Sequence, residues 1–132
     1  LGVKKMLMIG MCFWVIRYIL FANADAQTHA LLYLGVLFHG ICYDFFFVTG
    51  QVYTDAKAGP KIKSATQGLI TLATYGLGMF VGFWSAGKIY DMYALDEGLQ
   101  WSQVWIAPTG FAFVVLLIFL ITFKNEKIDV NG

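Results

Sequence analysis

The sequence predicts an all-α integral membrane helical bundle of about four transmembrane helices, and three observations carry that expectation. Of the 132 residues, 59% are hydrophobic and 13% are charged, where an ordinary soluble domain has roughly a quarter charged. The apolar residues gather into four runs near the ~20-residue length of a bilayer crossing. None of those runs carries the polar face that a soluble amphipathic helix turns to water. The net charge of +1 supplies no basic stripe to neutralise phosphates, which excludes nucleic acid as a partner.

The spans are predicted at about residues 6–22, 30–52, 65–88 and 105–123. The first contains Arg17 and ends at a short polar connection, residues 23–29, so the first two spans should form an antiparallel hairpin. The second contains His39, Tyr43 and Asp44, and the connection after it, residues 53–64, holds Gly59-Pro60 and three lysines. The third is rich in small residues, and the connection after it, residues 89–104, is acidic and aromatic. Pro108 near the start of the fourth suits a first helical turn. Cys12 and Cys42 both lie within apolar runs and read as small buried hydrophobes rather than as a disulfide or metal pair.

Lysine placement predicts the orientation. Lys4, Lys5, Lys57, Lys61, Lys63, Lys124 and Lys127 fall on one side, and Lys88 with Asp25, Asp91, Asp96 and Glu97 on the other. By the positive-inside rule both ends of the chain and the Lys57 to Lys63 loop are cytoplasmic, with Tyr90, Tyr93, Trp101 and Trp105 in the outer interfacial belt. Lys4-Lys5, an apolar stretch and Ala22-Asn23-Ala24 also resemble a secretory signal peptide. Arg17 within the stretch, the further spans and the missing initiator Met count against that, and the abrupt start suggests the tail of a longer protein.

The candidate chemistry lies on the first two spans. An ionisable residue inside a membrane span must be paired, neutral or facing water, and is by default a functional candidate. Asp44 meets that description. A carboxyl that gains and loses a cationic partner as helices move can take up and release a proton, which is the requirement for proton coupling. His39 and Tyr43 are four residues apart and share a helix face, while Asp44 is rotated by about 100° from Tyr43. Arg17 is the available cation. At ~1.5 Å per residue from the outer ends, Arg17 lies roughly 8 Å deep, His39 roughly 12 Å and Asp44 roughly 20 Å, so Arg17 is nearer in level to His39. Each has a plainer role as well: a packed His39, an aromatic core contact for Tyr43, an outward-snorkelling Arg17, or an Arg17/Asp44 pair that sets helix register.

On the third span, Gly78 and Gly82, extended by Ala86, place small residues on one face and allow close helix approach. Gln67, Thr71, Thr74 and Tyr75 form a polar stripe that either lines a pathway or satisfies nearby backbone. No nucleophile elbow, phosphate-binding loop or metal-ligand cluster appears, so neither catalysis nor a cofactor is expected.

Three segments carry a resemblance. WVIRYILFA at 14–22, GICYDFFFVTGQVYTD at 40–55 and KIKSATQGLITLATYGLGMFVG at 61–82 resemble the nucleoside:proton symporter family of the major facilitator superfamily. The resemblance runs over about residues 1–91 and fades in the last span. It implies that the chain corresponds to the last four helices, nine to twelve, of a twelve-helix carrier of a bacterial inner membrane, with the remaining amino-terminal helices as its partners. It further implies nucleoside and proton as the transported species, His39 and Tyr43 at the nucleoside site, and Asp44 as the family's helix-ten aspartate. The bacterial permeases of that family carry Tyr and Phe where this chain has His39 and Tyr43. The rival expectation is a non-transporting assembly or scaffold subunit in the lipid bilayer, with Arg17 and Asp44 paired structurally.

Overall fold

A computed structural model describes residues 2–95 and 98–124. It contains four long helices, Val3–Ala22, His29–Ala58, Lys63–Tyr93 and Trp101–Thr122, each long and apolar enough to cross a membrane. Lys127, Asp96 and Glu97, used above for orientation, lie outside the described residues.

The boundaries follow local chemistry. The Asn23 side chain donates to the Ile19 carbonyl at 2.8 Å and closes the first helix. Asp25 then builds the turn into the second: its carboxylate accepts from the Thr28 hydroxyl at 2.7 Å and from the amides of Gln27 and Thr28 at 2.8 Å. Those bonds, the Thr28 hydroxyl first, hold the Asp25 carboxyl below its usual range. The second helix runs past the predicted end at residue 52 and stops at Gly59, whose φ of 68° suits a residue without Cβ. The connection predicted at 53–64 therefore shrinks to a tight Gly59-Pro60 turn. At about 1.5 Å per residue the second and third helices are each roughly 45 Å long, more than the ~30 Å hydrocarbon layer needs.

The far connection is shorter than the predicted residues 89–104. The third helix continues to Tyr93, and a short antiparallel hairpin pairs Ala94–Leu95 with Gly98–Leu99. The fourth helix then starts at Trp101. It starts there because the Trp101 indole and the Ser102 hydroxyl donate to the carbonyls of Phe21 and Ala22, at 2.7 and 2.6 Å, on the end of the first helix. Pro108 is consequently two turns inside the helix, not in its first turn.

The first helix is central, packing against both the second and the fourth. Two glycines set how closely it meets the second. A Cβ on Gly10 would lie 3.0 Å from the backbone nitrogen of Phe46, and a Cβ on Gly35 would overlap the Phe21 ring. Leu7, Met11, Cys42, Thr49 and Leu116 are buried around this axis. Aromatic rings fill the rest, with Trp14 edge-on to Phe46 at 5.1 Å and Phe13 edge-on to Phe38 at 4.9 Å. Elsewhere large apolar side chains lie open, including Phe80 at 72% and Ile121 at 84% exposure. Such faces are matched by lipid or by further apolar helices, not by water.

The second and third helices each change winding once. Tyr43–Val48 and Leu72–Gly78 are π-helical, with the wider i→i+5 turn that occurs mostly as single-turn bulges, frequently at functional sites. In the third helix the wider turn is accommodated by glycine: a Cβ on Gly78 would sit 3.1 Å from the Ala73 carbonyl oxygen.

Candidate functional site

Arg17, half-buried on the first helix, turns its guanidinium to the second, where Nη1 donates to Nδ1 of His39. The guanidinium carbon also lies 5.2 Å from the Tyr18 ring centre and 5.6 Å from that of Phe21, a cation–π setting that offsets part of the cost of removing the charge from water. The Arg17 Nε is buried without a hydrogen-bond partner among the described residues. An Arg17/Asp44 pair is not formed. Depth is the reason: Asp44 lies beyond His39 along the second helix, and the nearer acceptor takes the guanidinium.

His39 and Tyr43 are one turn apart, as their spacing requires, but they engage different neighbours. His39 meets the first helix through Arg17, and Tyr43 meets the third: its hydroxyl is 3.1 Å from that of Tyr75. Phe47 packs beside both rings, 5.3 Å from Tyr43 and 6.2 Å from Tyr75 between centroids. Asp44, the next residue, is exposed in the π-helical segment and has no ion pair or hydrogen bond among the described residues. The arrangement is a row along the second helix: an imidazole held by a cation, a phenol held by a second phenol, and an open carboxyl.

The polar stripe of the third helix divides. Thr71 and Thr74 donate back to the carbonyls of Gln67 and Ile70, at 2.9 and 2.7 Å, the usual way for a membrane helix to satisfy a hydroxyl. The Gln67 amide reaches the second helix, donating to the Gln51 carbonyl at 3.1 Å and to the Asp55 carboxylate. Lys63 pairs with the same carboxylate at 3.1 Å. Asp55 thus fastens the second and third helices where Gly59 joins them, a role that its position in a basic loop did not indicate.

Gly78, Gly82 and Ala86 do not lie against another helix here. They line an open apolar groove of about 880 Å³ beside the fourth helix, and a Cβ on Gly82 would meet nothing within 4 Å. Among these four helices, close approach occurs at Gly10 and Gly35 on the first two. A lone glycine in an apolar run is the only sequence signal at those two positions. The groove is separate from the His39, Tyr43 and Asp44 row.

Comparison with known proteins places the chain in a family. The model of the nucleoside H+ symporter family matches residues 1–128. The chain belongs to the nucleoside H+ symporter family. Among curated proteins it is similar to the putative nucleoside transporter YegT of Escherichia coli (strain K12), with 35% identity over 99% of this chain and 33% of that protein. It is also similar to the nucleoside permease NupG of the same strain, with 30% identity over 98% of this chain and 31% of the permease. A xanthosine permease from that strain is 30% identical over 93% of this chain. The crystal structure of NupG superposes with a TM-score of 0.85 at 30% identity, covering 94% of this chain and 31% of that one. The chain therefore spans about a third of the length of the relatives it matches. Together with the four long apolar helices, the family makes this a multi-pass membrane protein whose relatives are transporters and permeases rather than enzymes.

Proposed function

We propose that this segment forms one wall of a proton-coupled nucleoside carrier that works by alternating access, with His39 and Tyr43 contributing to the nucleoside site and Asp44 to proton coupling. The observation that supports it is the match of nearly all of this chain to about a third of nucleoside transporters, combined with an intramembrane carboxyl that Arg17 leaves open by engaging His39. In such carriers the site lies near the bilayer midplane between two helical halves. The remaining amino-terminal helices supply the opposite wall. The lysine-rich ends face the cytoplasm of a bacterial inner membrane, and the 94–99 hairpin faces outward.

The deciding experiment is uptake of labelled uridine, adenosine and xanthosine by the full-length carrier reconstituted in vesicles, with and without an inward proton gradient. The expected result is accumulation above the outside concentration that collapses when an uncoupler is added. Uptake that never exceeds equilibration, or that ignores the uncoupler, counts against proton coupling. No uptake of any nucleoside counts against the substrate class.

A further inference from the structure

Two adjacent helices of this chain are each π-helical over one stretch, and the two stretches meet at a single polar contact. Tyr43 opens the π-helical segment of the second helix, Tyr75 sits in the middle of that of the third, and their hydroxyl oxygens are 3.1 Å apart. Phe47, one turn beyond Tyr43, packs beside both rings. Among the four polar residues of the third-helix stripe, Thr71 and Thr74 are satisfied within their own helix and Gln67 is held by Asp55. Tyr75 is the member that reaches the helix of His39, Tyr43 and Asp44 at their level.

The hydrogen-bond inventory of the pair points to a third participant. Two phenols carry two O–H donors, and their mutual bond uses one. The other donor remains for a further acceptor. Hydrocarbon offers such a donor no acceptor. Both rings are partly open, Tyr43 at 40% and Tyr75 at 41% exposure, so the pair is accessible from outside these four helices. A nucleoside carries acceptors of the matching kind on its sugar hydroxyls and base edge, together with a flat base that can stack on an aromatic ring.

We infer that Tyr75 is a positioning residue for nucleoside binding, acting through Tyr43: its hydroxyl fixes the Tyr43 phenol so that the pair presents one O–H donor to the substrate. This rests on the nucleoside-carrier function proposed above. It adds to that proposal a third-helix residue that lies, like Tyr43, in a π-helical segment.

The test uses the full-length carrier as wild type, Tyr43→Phe, Tyr75→Phe and the double variant, with equilibrium binding of labelled uridine, adenosine and xanthosine and the transport rate at saturating nucleoside. Removing one hydrogen bond is expected to weaken binding by about two- to tenfold in each single variant. The double variant should be no weaker than the weaker single one, because both substitutions break the same bond. The saturated rate should change less than the affinity. A merely structural role predicts a lower thermal midpoint without nucleoside and an unchanged Kd in the folded fraction. Unchanged affinity in Tyr75→Phe, or losses that add in the double variant, overturns the inference. Should Tyr75→Phe fail to fold, Tyr43→Phe breaks the same bond from the other side, and unchanged affinity there overturns it equally. Wild type that binds none of the three nucleosides overturns the carrier function and this inference together; binding by wild type with no effect at Tyr75 overturns the inference alone.

Discussion

Arg17 donates to an imidazole rather than to a carboxylate, and that choice shapes what each residue on the second helix can do. A guanidinium has donors only, so in this contact the imidazole Nδ1 is the acceptor. Asp44 is then left to whatever the rest of the carrier brings. If Asp44 handles the coupled proton, Asp44→Asn should abolish uphill nucleoside accumulation while the protein still folds and binds nucleoside, because the amide keeps the shape but cannot ionise. Neutralising Arg17 as well should not restore accumulation, since no Arg17/Asp44 pair exists to relieve. Full accumulation by Asp44→Asn, or rescue by the second substitution, would overturn that role. Tyr43 carries a separate expectation. Removing its ring in Tyr43→Ala should weaken nucleoside binding by about 1–3 kcal/mol, the range for base stacking on aromatic side chains in nucleic-acid sites. Calorimetry on the purified carrier measures it, and an unchanged affinity removes Tyr43 from the site.

Within these four helices the close contacts fall on two glycines that the hydrophobic pattern did not single out, Gly10 and Gly35. The Gly78-x-x-x-Gly82 spacing is the familiar signature of close approach, yet Gly78 is crowded by its own helix and Gly82 opens onto a groove. Gly10 and Gly35 make the approach between neighbours, and the Gly10 neighbour is backbone, which cannot swing aside as a side chain can. Gly10→Leu should therefore cost about 1–3 kcal/mol, as overpacking of a tight contact does. It should appear as a lowered thermal midpoint of the purified carrier, with wild-type stability the opposing result. The π-helical turns belong to this scale too. Nothing in the sequences of residues 43–48, YDFFFV, and 72–78, LATYGLG, marks the wider turn in advance.

Across the whole chain, the ends of the four helices sort into two sets. At one end the Lys4 ammonium donates to the Leu120 carbonyl at 3.1 Å, Tyr53 packs on Phe123, and Lys63 pairs with Asp55. At the other, Trp101 and Ser102 hold the end of the first helix. The lysine-rich set is the one expected in the cytoplasm. In a full-length carrier whose native cysteines have been replaced, a cysteine introduced at Leu95 should react with an impermeant reagent added outside, and one at Lys61 should not. The reverse pattern overturns the orientation.

Composition and run length determined the class of this protein: apolar runs of this length without a polar face have no stable home but a membrane, so four crossing helices were legible before any coordinates. Arg17 and Asp44, charges well inside the first two apolar runs, were legible for the same reason, because each is costly in hydrocarbon whatever surrounds it. Their partners were not. Which acceptor Arg17 takes, where glycine backbones meet, and that Tyr75 faces Tyr43 all depend on the rotation and depth of one helix against another. Helices that are apolar on every side carry little pattern to fix that rotation, so it is settled by tertiary packing: Gly10 on Phe46, Trp101 and Ser102 on the end of the first helix, and Asp55 with Lys63 and Gln67 between the second and third.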